Sequence, residues 1–148
     1  MIGQLDQRGI KQLLRRCVVG RIACHASGRT YIVPITYAYE DGTIISHSSE
    51  GLKISMMREN PDVCFEIDHV DDLGNWSSVV AWGRYEELHG HDATHAMTIL
   101  LGKLSLMAVK DKNSYPKELT HQHATHDDQS PIVYCIRITE ATGRYDQT

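Results

Sequence analysis

Two hydrophobic periods run along the chain, and the switches between them mark its elements. Across residues 5–16 the apolar positions Leu5, Ile10, Leu13 and Leu14 recur with polar residues between them. That spacing predicts a short amphipathic helix. Asp6 near its start and Arg15 and Arg16 near its end suit the helix dipole. The pattern then shortens to that of extended chain. Residues 17–25 read as a strand, Ser27-Gly28-Arg29 as a turn, and residues 30–39 as a second strand dense in β-branched and aromatic side chains. Asp41-Gly42 favours a tight hairpin, and residues 43–48 form a third strand. The three strands make an antiparallel meander. Pro34 cannot donate to a sheet ladder, so it marks either an edge or a bulge, and bulges also occur beside ligand sites.

Residues 51–59 read as a short helix that Asn60-Pro61 ends. Residues 62–68 alternate cleanly as a fourth strand, and 71–75 form a turn or loop. Residues 76–88 are a long fifth strand with a candidate bulge at Gly83. From 89 to about 106 the chain reads as helical, with Ala93, Met97, Leu100, Leu101 and Leu104 on one face. Residues 110–130 read as a polar loop, and 131–140 as a sixth strand. The expectation is a mainly β domain spanning 1–148, with six strands and flanking helices and no internal repeat, built as a barrel or sandwich.

Charge removes some function classes. Fifteen Lys and Arg against nineteen Asp and Glu leave a formal net charge of −4, which argues against a nucleic-acid binder working through a basic face. No apolar run approaches the ~20 residues needed to cross a bilayer. The first residues show neither a basic start nor an apolar stretch of the kind that directs secretion, so a cytoplasmic location is expected. Cys17, Cys24, Cys64 and Cys135 form no Cys-x-x-Cys pair and fall in apolar contexts. They read as buried free thiols.

The most informative stretch for chemistry is Ser46-His47-Ser48-Ser49-Glu50-Gly51-Leu52-Lys53. A strand ends, a polar run follows, and a helix begins at a glycine. Free N–H groups at a helix start attract anions. Ser48 and Ser49 can donate to phosphate oxygens, His47 can offer a ring N–H, and Lys53 adds a point charge in the first turn. Glu50 opposes an anion there and has to point outward. The alternative is an ordinary capped helix with a solvated lysine.

Several runs together carry a family resemblance. They are Val19-Gly-Arg-Ile-Ala23, Tyr31-Ile-Val-Pro-Ile-Thr-Tyr-Ala-Tyr39, Asp41-Gly-Thr-Ile-Ile-Ser-His47, Gly51-Leu-Lys53, Asn60-Pro-Asp-Val-Cys-Phe-Glu66 and the closing strand Tyr134 to Gly143. In this order they resemble the pyridoxamine 5'-phosphate oxidase-like family of flavin-binding split barrels, and within it the small branch that includes nitroimidazole-resistance reductases. The resemblance implies a six-stranded antiparallel split barrel that dimerises with two flavins in the interface. It implies FMN as cofactor, with Val33, Pro34, Ile35 and Thr36 along the isoalloxazine and ribityl chain. His47, Ser48 and Lys53 would hold the phosphate. Ser77, Ser78 and Val79 would approach the ring from the next strand, and Trp82 or Trp76 would close the site from the partner subunit. Some relatives use haem, and some a deazaflavin, in place of the flavin; FAD is a further alternative.

The chain departs from true pyridoxamine phosphate oxidases, because Arg137 and Arg144 do not reproduce their arginine-rich substrate-phosphate motif near the C-terminus. No nucleophile motif and no acid–base pair stands out, so no catalytic residue is assigned. The expectation is an FMN-dependent reductase or oxidase of a small aromatic or nitro-type substrate. The alternatives are a haem protein for iron handling and a flavin carrier or sensor without turnover. His89, His91 and His95, and His121, His123 and His126, have spacings seen in metal sites, but no Cys or Glu partner completes either group. They read as solvated His-rich segments, with an axial haem ligand as the alternative.

Overall fold

The computed structural model describes residues 1–110 and 131–148. Along the chain run β1 (Ile2–Gln4), α1 (Gln7–Arg16), β2 (Val19–Ala26), β3 (Arg29–Thr36), β4 (Ala38–Glu40), β5 (Thr43–Ser48), α2 (Leu52–Glu59), β6 (Asp62–Asp72), β7 (Asn75–Glu87), α3 (Gly90–Lys110) and β8 (Ile132–Gln147). All pairings are antiparallel, in the order β3-β2-β6-β7-β8-β5-β4, with β1 added on β8. β3 and β4 are the two free ends of this order, yet only Tyr37 separates them in the chain. The sheet therefore curls until its ends meet at one residue, and it stays open there. This is a split barrel.

Among the described residues the sheet has eight strands where the pattern predicted six. One extra strand is β1, three residues that pair with Arg144, Tyr145 and Asp146 of β8. The other arises because the predicted second strand changes partner: β3 pairs with β2, and β4 pairs with β5. The two tight turns form as expected. Ser27 and Gly28 (φ 52° and 76°) and Asp41 and Gly42 (φ 47° and 78°) are consecutive left-handed pairs, the geometry that matches hairpin twist. Pro34 lies on the edge strand β3 opposite Arg21. At Gly83 the register of β7 against β8 shifts, and a Cβ there would run into the Arg137 backbone.

Packing follows the helical and strand periods. α1 is capped by Asp6, whose carboxylate accepts from the Gly9 N–H at 2.8 Å, and it buries Ile10, Leu13 and Leu14. These meet Ile22, Ile35, Tyr37, Phe65, Ile67, Val79 and Tyr134 from the sheet and Ile54 and Met57 from α2. Phe65 lies against Gly20, where any Cβ would strike its ring, and packs edge-on to Tyr37 at 4.8 Å between centroids. Burying one such side chain is worth about 1.5–3 kcal/mol. A smaller cluster joins Ala96 and Leu100 of α3 to Ala38, Ile45 and Val133. β5 thus has core on one face and α3 on the other. That is why Ser46, His47 and Ser48 are all buried despite their polarity.

All four cysteines are free; Cys24 and Cys135 are buried, while Cys17 and Cys64 are partly exposed. Burial raises each thiol pKa, which disfavours the reactive thiolate. No helix among the described residues is long and apolar enough to cross a membrane.

Candidate functional site

The site begins where β5 leaves the core. By strand alternation Ser46 and Ser48 share the barrel-facing side with Ile44, while His47 shares the α3 side with Ile45. Ser46 donates to the Thr36 carbonyl at 2.7 Å, tying β5 to the end of β3. The Thr36 hydroxyl oxygen is buried and has no hydrogen-bond partner among the described residues. Such an orphan costs about 1–3 kcal/mol, so the end of β3 has unused hydrogen-bonding capacity.

Two residues of the predicted phosphate group come together. The Lys53 ammonium donates to Ser48 Oγ at 2.7 Å, and Ser48 Oγ donates to the Ser49 carbonyl at 2.8 Å. Burial lowers the Lys53 pKa, and the neighbouring Cys24 thiol opposes that shift only in part. No described carboxylate forms an ion pair with Lys53. An ammonium has three donors, and one is engaged here. α2 itself begins at Gly51 without a side-chain cap, so its first N–H groups stand open beside that charge. The arrangement is a desolvated cation plus free amide donors, which fits the phosphate of a nucleotide. His47 leaves from the opposite side of the strand.

Glu50 lies away from Lys53. Both its oxygens accept from Arg58, at the far end of α2, at 2.9 Å each. Arg58 Nε also bonds Glu87 of β7, and the Tyr85 hydroxyl donates to the same Glu87 oxygen at 2.9 Å. This network escaped sequence reasoning, because its members lie on α2 and β7 and share no short motif.

Val33, Pro34, Ile35 and Thr36 occupy the free-edge strand β3, with Ile35 turned into the core and Pro34 exposed. Ser77, Ser78 and Val79 lie on β7, and two strands separate β7 from β3 in a single chain. Val79 is buried against Ile67, whereas Ser77 and Ser78 face His69 and Asp68 across the β6 hairpin. Trp82 projects outward, 42% exposed. It stands in a cross-strand row with Cys64, Ala23 and Ile32. A groove of about 520 Å³ runs over this outer face, lined by Ala23, His25, Thr30, Cys64, Trp82 and Arg84. Beside the row, Arg21 reaches Asp68 at 2.6 Å and Glu66 at 3.5 Å. Glu66 is pushed up to about 7 by burial and by Asp68, against the pull of Arg21.

Among the described residues no group of three or more His, Cys, Asp or Glu side chains comes together as a metal site. His95 is exposed and lies 4.0 Å from Glu40. His121, His123 and His126 fall outside the described residues.

The open, curled antiparallel sheet defines the class of the protein as a split barrel, and comparison with known proteins gives the family. The family model for pyridoxamine 5'-phosphate oxidase matches residues 6–145. The chain belongs to that family. It is 34% identical over 131 residues to the uncharacterized protein RA0666 of Rhizobium meliloti, covering 85% of this chain and 83% of the relative. Among solved structures it resembles a FAD-binding protein from Mesorhizobium loti, with 28% identity, TM-score 0.77 and 99% of each chain covered. It also shares its fold with a candidate 5-nitroimidazole antibiotic resistance protein from Bacteroides thetaiotaomicron, at TM-score 0.71 and 22% identity over 98% of this chain and 87% of the other.

Proposed function

We propose that this protein is a homodimeric flavin-dependent oxidoreductase that holds the FMN moiety, as FMN itself or as that half of FAD, and reduces or oxidises a small aromatic or nitro-type substrate. The single observation that carries the reading is Lys53, a buried-side ammonium with a serine hydroxyl and no described carboxylate for company. Its charge and the open amides of α2 suit the cofactor's phosphate. The free edge of β3 offers backbone groups along Val33 to Thr36 for a flat ring and its ribityl chain. Family membership and the FAD-binding Mesorhizobium relative support a flavin over other nucleotides.

When bound, a flavin supplies the hydride or electron transfer. The chain's own residues position it. Lys53 and Ser48 fix the phosphate end, β3 sets the ring's direction, and the core under Ile35 keeps that strand rigid. In this reading Ser77, Ser78 and Val79 of β7 approach the ring, and the partner's Trp82 closes the site. A second copy docked on the outer row of Ile32, Ala23, Cys64 and Trp82 supplies the apolar closure. That row is 63% exposed at Ile32, which is costly surface to leave in water. No catalytic side chain is assigned, and vitamin-B6 oxidation is disfavoured, because Arg137 and Arg144 do not reproduce the arginine-rich substrate-phosphate motif of true pyridoxamine phosphate oxidases.

The visible spectrum of the purified protein tests this. Two flavin bands, with FMN or FAD identified by mass spectrometry after denaturation, are the expected result; an intense Soret band would mean haem. Anaerobic bleaching by NADH or NADPH, with reoxidation by a nitroaromatic acceptor, separates an enzyme from a carrier.

A further inference from the structure

We infer that Arg58 keeps Lys53 available to the cofactor's phosphate by holding the Glu50 carboxylate in a two-pronged ion pair. The inference rests on the phosphate reading of Lys53 and adds a positioning residue to it. Glu50 immediately precedes the Gly51 cap of α2 and Lys53 lies in the helix's first turn, so the two opposite charges are near neighbours along the chain. A carboxylate resting on Lys53 would neutralise the cation and confront an entering phosphate with like charge. In the structure that pairing does not form. Arg58 takes both Glu50 oxygens at 2.9 Å. Arg58 is in turn held by Glu87, which Tyr85 orients with a 2.9 Å hydrogen bond. The clamp is therefore anchored in β7 and not only in the short helix it spans. Serving two carboxylates at once calls for the planar fork of arginine, which lysine lacks.

The role differs from general support of the fold, because it acts on the phosphate end alone. FMN and riboflavin differ only in that phosphate. Affinities of both for the full-length apoprotein, read by flavin fluorescence quenching, separate the two roles. Arg58→Gln is expected to weaken FMN roughly tenfold and to leave riboflavin unchanged. Adding Glu50→Gln to Arg58→Gln restores FMN binding, and Glu50→Gln alone does not weaken it. If the double variant stays as weak as Arg58→Gln, or if riboflavin falls in step with FMN, the clamp is overturned. If Arg58→Gln does not fold, Arg58→Lys with and without Glu50→Gln carries the same comparison with the charge kept. Lys53→Ala is the reference: an unchanged FMN-to-riboflavin ratio in that variant overturns the phosphate reading itself. A ratio lowered by Lys53→Ala but not by the Arg58 variants overturns only the clamp.

Discussion

The ammonium of Lys103 sits 4.4 Å from the ring centre of Tyr37, on the residue where the two free ends of the sheet meet. It also donates to the Cys17 carbonyl at 2.5 Å, so α3 is fastened across the junction of β3 and β4. Burial depresses its pKa from 10.5 to about 8. Between those values the unfolded chain binds a proton that the folded chain has released, so this group makes stability rise with pH across the window. The contribution is lost as pH falls through 8. Lys103→Met is expected to flatten the rise between pH 8 and 10.5 in urea melts compared with the unmodified protein. An equal slope in both would show that Lys103 titrates as in water.

Glu66 gives the opposite sign. Its pKa is raised from 4.5 to about 7 by burial and the adjacent Asp68. The folded chain holds the extra proton in that window, so this stabilisation is full below pH 4.5 and is lost as pH rises through 7. Glu66→Gln is expected to remove that decline, seen as a smaller loss of melting temperature from pH 4.5 to 7 than in the unmodified protein. A steeper loss in the variant would contradict the assignment.

Removing the Lys53 charge addresses the cofactor directly. A charge-assisted contact of this kind is worth about 1.5–3 kcal/mol, or on the order of ten- to a hundredfold in affinity. Lys53→Ala is expected to lower FMN retention by that factor, to reduce the salt dependence of binding, and to leave riboflavin affinity near its original value. Full FMN occupancy after purification and dialysis would place the phosphate elsewhere.

The proposed dimer places its interface on the outer row. Trp82→Glu puts a charge into an apolar strip that includes Ile32, Ala23 and Cys64, and burying it against a second copy is costly. Light scattering should show a dimer for the unmodified protein and a shift to monomer for the variant, with the far-UV spectrum unchanged. A dimer that survives at micromolar concentration would move the interface to another face.

Local signals located most of the fold. The spacing of Ile10, Leu13 and Leu14 gave α1, and Ser27-Gly28 and Asp41-Gly42 gave the two turns. Gly83 was legible as a bulge because a long strand rarely tolerates glycine without one. The two unforeseen strands have non-local causes. Ile2–Gln4 becomes a strand only because β8 runs on to Gln147, past the Glu140 end expected from its apolar run. Residues 30–39 read as one strand because β-branched and aromatic residues continue through Tyr37, and a change of partner leaves no mark in composition. At the site, Lys53 and Ser48 were visible as a local cluster. The Glu50–Arg58–Glu87 chain was not, since it joins a helix start, a helix end and a distant strand.

Pro34 has a consequence beyond its place in β3. A bare sheet edge is a template on which another chain's strand can grow, and long exposed edges invite aggregation. By lacking an N–H, Pro34 interrupts the row of donors that such a strand would need. A small planar molecule needs only a few of the edge's backbone groups and is not deterred by one missing donor. The same residue that spoils this edge for polypeptide leaves it usable by the flavin proposed to lie along it, so the open barrel tolerates its gap in a crowded solution.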